Sequence, residues 1–150
     1  EVITTDENGV YTFDNNLEWN TYVLVLDGES AANYSLAGSA PPGSYPQIIV
    51  EPGTSRAITI YLDGFSPQNL LMTVTDAETG EIITEADAQM VSTDPAFDET
   101  KQSNSFGQVW FPTLEAGTYD LNVSKTGYDS YSDSIEITGQ QYIDIELEPL

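Results

Sequence analysis

The sequence predicts an all-β protein of two tandem, related antiparallel β-sandwich units, the first without its opening strands. Three observations predict it. Apolar residues alternate in short runs, and no stretch carries a helical period. Gly, Pro, Asn and Asp punctuate the runs at turn positions. Four runs of the first half also recur in the same order in the second.

The expected strands can be taken in order. Val10–Phe13 follows the turn signal DENG (Asp6 to Gly9), and Thr21–Leu26 comes next. Gln47–Val50 and Ala57–Leu62 complete the first set, which lies in a unit spanning 1–65. The second unit, 66–150, carries Leu70–Thr75, Ala88–Ser92, Gln108–Phe111, Thr118–Ser124, Ser134–Thr138 and Tyr142–Glu148. The last is the clearest: Ile143, Ile145 and Leu147 alternate with Asp144, Glu146 and Glu148, as in an antiparallel strand with one buried and one wet face.

The repeat matches GVYTF (Gly9 to Phe13) to GQVWF (Gly107 to Phe111), and NTYVLVL (Asn20 to Leu26) to GTYDLNV (Gly117 to Val123). It also matches IIVEPG (Ile48 to Gly53) to IEITG (Ile135 to Gly139), and AITIYL (Ala57 to Leu62) to YIDIEL (Tyr142 to Leu147). The copies differ in two places. The first inserts a long loop at 28–47, and a loop of that length is usually functional or packed against something. The first also has only eight residues ahead of its matching glycine, where the second has Leu70–Thr75, Ile82–Ile83 and Ala88–Ser92.

Charge narrows the function classes. Twenty-five acids face three bases, Arg56, Lys101 and Lys125, for a net charge of −22. Such a surface cannot release counterions from phosphates, so nucleic acid and anionic lipid are excluded as partners. With 39% hydrophobic and 11% aromatic residues in alternating runs, the chain is not a disordered acidic tail. A secreted or cell-surface setting in high salt fits, because salt screens the self-repulsion. There is no Cys and no His, hence no disulfide, no thiolate and no imidazole base or zinc ligand. No apolar run is long enough to cross a membrane as a helix.

Residues 69–150 resemble the carboxypeptidase regulatory-like domain, a seven-stranded transthyretin-like sandwich of the Ig-like class. The carrying stretches are VTDAETGEII (Val74 to Ile83), FGQVWFPTLEAGTYDLNVSKTGY (Phe106 to Tyr128) and SIEITGQQYIDIEL (Ser134 to Leu147). DAETG is a turn in which Gly80 takes positive φ, and Gly107 bends the chain into a hairpin. Phe111 and Leu114 are expected in the core, with Tyr119, Leu121 and Val123 facing inward. The stretch from Gly117 is also similar to PEGA surface domains and collagen-adhesin B-type repeats. Residues 1–64 carry only the later strands of that pattern. The adhesin repeats often carry a Lys–Asn crosslink, which is not expected here because Lys101, in a loop, and Lys125, at a strand end, lie outside the first strand. Modules of this type act as spacers, stalks and accessory domains, so the resemblance implies a fold more than a function.

Candidate sites follow from residue types. Calcium suits oxygen-rich loops, and STDPAFDET (Ser92 to Thr100) offers Asp94, Asp98 and Glu99; DENG and DAETGE (Asp76 to Glu81) are weaker stretches. No cofactor is required. Trp19 and Trp110 are the expected glycan contacts, with Tyr34, Tyr45, Tyr128 and Tyr131 as further aromatics. Asn33 and Asn122 match the N-glycosylation pattern. The acids alternate with apolar residues on wet strand faces, and no activated nucleophile can be named, so no enzyme is expected.

The expected function is an extracellular structural or adhesive cell-surface protein, a filament or homopolymer subunit completed by strand addition between subunits. Its partners are other copies of itself or neighbouring domains of a longer chain. Two alternatives stand beside it: a carbohydrate-binding accessory module of a secreted multi-domain enzyme, and a viral coat or tail decoration protein. The missing front of the first unit has three readings that the residues leave open: a gap filled by another subunit, a segment left upstream, or a divergent unit that uses its long loop instead.

Overall fold

The computed structural model describes residues 3–13, 17–43 and 47–150. In the first half, β1 (Asn20–Val23) precedes a short helix α1 (Gly28–Asn33), followed by β2 (Tyr34–Ala40), β3 (Gln47–Val50) and β4 (Thr59–Gly64). β1 pairs antiparallel with β3, Tyr22 opposite Ile48, and β2 pairs antiparallel with β4. The segment 28–47, expected as a long loop, therefore contains a helix and a strand. Asp27 caps α1, its carboxylate accepting from the Ser30 N–H. Six residues are too few to display a helical period, and β2 (YSLAGSA) is built of small residues without apolar alternation. Val10–Phe13 belongs to no sheet among the described residues.

The second half holds β5 (Asn69–Asp76), β6 (Asp87–Thr93), β7 (Ala96–Gln102), β8 (Gln108–Phe111), β9 (Gly117–Ser124), β10 (Tyr131–Ile137) and β11 (Gln140–Leu147). One sheet has the order β10-β9-β6-β7 and the other β11-β5-β8. Their inner faces supply one core: Leu70, Met72, Val109, Phe111 and Ile145 from the three-stranded sheet meet Met90, Tyr119, Leu121, Val123 and Ile137 from the four-stranded one. Seven strands in two facing sheets, with Phe111, Leu114, Tyr119, Leu121 and Val123 all buried, match the expected sandwich. Gly80 and Gly107 both take positive φ. At Gly107 a Cβ would also stand 2.8 Å from the Val74 carbonyl oxygen, so its turn needs glycine twice over.

Two expectations are corrected. β11 pairs parallel to β5, Ile145 beside Val74. Alternation shows that one face of a strand is buried but carries no information on the direction of its neighbour. Lys101 lies in β7, an edge strand absent from the expected set. β7 shows little apolar alternation because Lys101 occupies its inward row with Phe97. The Lys101 ammonium stands 5.2 Å from the Phe111 ring centre and donates to the Trp110 carbonyl at 2.9 Å.

The first half docks on the outer face of β5 and β8 through a polar seam. Along β5, Asn69, Leu71 and Thr73 are buried although they face away from the core. The Ser35 hydroxyl accepts from the Ser66 N–H at 3.0 Å, and the Asn69 amide donates to the Ser66 carbonyl at 2.9 Å. Further along β2, the Ser39 N–H donates to Gln108 Oε1 at 2.9 Å. A Cβ on the neighbouring Gly38 would fall 2.9 Å from that same oxygen, so the close approach depends on a glycine. Gln108 is buried, and its Nε2 has no hydrogen-bond partner among the described residues.

Candidate interaction surface

Apolar surface is divided unevenly between the halves. Among the described residues every buried hydrophobic side chain lies at Leu70 or beyond. The exposed large hydrophobics, apart from Ile82 and Leu150, all lie in residues 1–65. The first half thus presents its apolar residues to the outside instead of to a core of its own.

The matched strands show where this happens. In β9, Tyr119, Leu121 and Val123 point into the core, and Asp120 and Asn122 point to water. Their counterparts Tyr22, Leu24 and Leu26 are only half-buried, so the same inward row lacks a full cover. The outward row differs in chemistry: Val23 and Val25 stand where β9 has Asp120 and Asn122, and Val25 is 68% exposed. Val23 lies opposite Gln47, and Ile49 follows on the same face of β3 at 60% exposure, because directly opposed residues share a face. Trp19, 75% exposed, precedes β1.

β1 also has an unpaired edge. β9 is flanked by β10 on one side and β6 on the other, whereas β1 is flanked only by β3 among the described residues. The Thr21 N–H donates to its neighbour's Asn20 Oδ1 at 2.8 Å. By strand alternation Thr21 and Val23 direct their N–H groups to one side of β1 and Tyr22 to the other. Neither Asn20–Leu26 nor Gln47–Val50 contains a charged residue. Both edges of the four-stranded sheet are charged instead, with Asp98 and Glu99 on β7 and Asp133 and Glu136 on β10. Charged edge strands resist pairing with other chains, and uncharged ones invite it.

The other expected site residues are scattered. Asp94 lies in the β6–β7 turn, while Asp98 and Glu99 are consecutive in β7 and so face opposite ways. Asp98 accepts from Gln89 at 3.0 Å, and Glu99 pairs with Lys101 at 3.5 Å. Among the described residues no group of three or more acids gathers into one cluster. In DENG, Asp6 Oδ1 accepts from the Asn8 and Val10 N–H groups. The Val10 N–H, then the Asn8 N–H, hold its carboxyl below the ordinary 3.8. In DAETG, Asp76 accepts from the Glu78 and Thr79 N–H groups and the Tyr128 hydroxyl. Both turns spend their carboxylates on the backbone.

Trp110 is half-buried, and its indole N–H donates to Asp63 of β4 at 3.1 Å. That bond, followed by one from the Gly64 N–H, holds Asp63 below 3.8. Asn33 ends α1 with its amide on the Glu29 carbonyl, and Asn122 is exposed on β9 with its Oδ1 accepting from Ser132 at 2.6 Å. Tyr128 and Tyr131 pack partly against the core, Tyr34 is exposed, and Tyr45 lies outside the described residues. Burial pushes the Tyr142 phenol up to about 12, where it bonds Thr73 at 2.6 Å beneath the outer face of β5.

These features define a transthyretin-like sandwich with an appended, coreless β segment. The chain belongs to the carboxypeptidase regulatory-like domain family, whose model matches residues 69–148. Comparison with curated proteins finds no match. Among solved structures, the Bacillus anthracis TIE protein is similar at 18% identity and a TM-score of 0.49, over 71% of this chain and 20% of that one. The C-terminal domain of the shaft pilin SpaA from Lactobacillus rhamnosus GG is similar at 14% identity and TM-score 0.46, over 57% of this chain and all 100% of that one. The group B streptococcus pilus 2b backbone protein is similar at 14% identity and TM-score 0.46, over 70% of this chain and 56% of that one. This chain thus spans a fifth of the TIE structure and little over half of the pilus backbone structure. Among the described residues no helix is long and apolar enough to cross a membrane.

Proposed function

We propose that this chain is a non-enzymatic structural module of an extracellular or cell-surface assembly. Residues 66–150 serve as a self-contained spacer, and residues 1–65 form the contact surface for neighbouring subunits. One observation carries the reading: buried apolar side chains segregate to the second half and exposed ones to the first. Exposed apolar side chains gathered on one face, as Val23 and Ile49 are on the β1–β3 pair, mark interaction sites, because leaving them in water is unfavourable by roughly 25 cal/mol per Å². Their position on uncharged strands in a chain of net charge −22 favours association there. The likenesses to pilus proteins, all at TM-scores under 0.5, carry no part of this reading.

Sedimentation velocity and electron microscopy of the full chain, over a range of concentrations in high salt, test it. Multi-subunit species are expected, growing with concentration. A monomer under every condition would sink the proposal.

A further inference from the structure

We infer that the open edge of β1 receives the segment Val10–Phe13 of a second copy of this chain, so that subunits join head to tail by strand exchange. The inference rests on the assembly reading above and names its partner and its contact. Two unsatisfied halves of one interaction are present in each molecule. The acceptor is β1, whose edge away from β3 has no strand partner among the described residues. The molecule shows what such an edge accepts, since β6 occupies the equivalent side of β9 in antiparallel register, Met90 opposite Leu121.

The donor is the segment after the DENG turn. Val10, Tyr11 and Phe13 are all exposed, and the segment belongs to no sheet among the described residues. The Tyr11 and Phe13 rings meet edge to face at 4.8 Å, the i, i+2 relation of side chains on one side of a strand. Its residues are β-branched or aromatic, the types that favour strands.

Charge selects the occupant. Two molecules of net charge −22 repel each other wherever acids meet, so a lasting contact needs uncharged surface on both sides. Gly9–Phe13 and Asn20–Leu26 both contain no charged residue, which a strand such as β7 or β10 cannot offer. Within one chain the two segments are not paired, although residues 14–19 are enough to connect a hairpin. The donor–acceptor contact is heterologous, so its repetition gives an open chain of subunits. A pairing of two short strands buries less than a standard stable interface, so assembly is reversible and rises with concentration.

The test uses two full-length variants, each checked for an unchanged far-UV spectrum. Thr12→Pro breaks the donor by fixing φ and removing an N–H, and Val23→Pro breaks the acceptor in the same way on β1, an edge strand, where proline is tolerated. Each variant alone is expected to lose assembly, with a weakening of at least about tenfold, the equivalent of one hydrogen bond. Mixed together, they are expected to form a one-to-one dimer, because each retains the half that the other lost. Assembly that survives Thr12→Pro overturns strand exchange while leaving the assembly reading intact, and points to β1 pairing with its own copy. Loss in both variants without rescue in the mixture overturns the head-to-tail contact. A wild-type monomer at all concentrations overturns both the contact and the assembly reading.

Discussion

Asp63 and Trp110 show how one hydrogen bond ties the halves together. Asp63 lies near the end of β4 and Trp110 belongs to β8, and the indole N–H reaches the carboxylate across the seam at 3.1 Å. Because this bond lowers the carboxyl's folded pKa below 3.8, its stabilisation is complete above the unfolded value and is lost as pH falls through the folded one. In a Trp19→Phe background, Trp110 emission is therefore expected to titrate with a midpoint below pH 3.8, and Asp63→Asn should abolish that transition. Titration at or above pH 3.8, or in the Asn variant, would contradict it. The glycan role expected for Trp110 was legible only as an outward-pointing aromatic. Which residue of the first half would cover it depended on the docking of β4, and no local pattern carries that.

At the scale of elements, β1 and β9 are the same sequence pattern in two settings. Tyr22, Leu24 and Leu26 repeat the spacing of Tyr119, Leu121 and Val123, yet only the second set is fully buried. Leu121→Ala should cost roughly 2–5 kcal/mol, through lost transfer energy and a cavity, while Leu24→Ala in the monomer should cost less than about 1 kcal/mol. Urea unfolding of each variant measures the difference, and equal costs would show that the first half has a core after all. Alternation marks which residues of a strand face inward. It cannot say whether a second sheet lies there to meet them, and this is why the repeat was legible while the exposure of its first copy was not. The strands without a sequence signal, β2 and β7, lack one for physical reasons. One packs small residues closely onto β8, and the other protects a sheet edge with charge.

Across the whole molecule, charge is the strongest influence on stability and association outside the core. Twenty-five acids against three bases repel one another within the sandwich and between subunits. Raising salt to about 1 M shortens the screening length to about 3 Å and relieves both. The melting temperature and the assembled fraction are therefore expected to rise together between low salt and about 1 M sodium chloride. A melting temperature that falls with salt would mean that attractive pairs outweigh repulsion. Only three ion pairs occur among the described residues, at Arg56–Glu51, Lys101–Glu99 and Lys125–Glu85, each with a partly or largely exposed acid. Pairs of that kind contribute little, so repulsion is expected to govern the response.

By itself, the sequence determined the all-β class, the sandwich of residues 69–148 and its inward-facing rows, because these follow from local periodicity and from turns that only certain residues can make. It also set the expectation that nucleic acid is not a partner, since net charge needs no fold to act. The tertiary structure decided the rest: the parallel pairing of β11, the docking of β2 across Gly38 and Gln108, and the edge of β1 left without a strand among the described residues. Each of these depends on which distant segments meet, and period-two alternation is silent about partners. The repeat showed that the first half resembles the second; only the arrangement of strands in space showed that it resembles the second with its covering sheet removed.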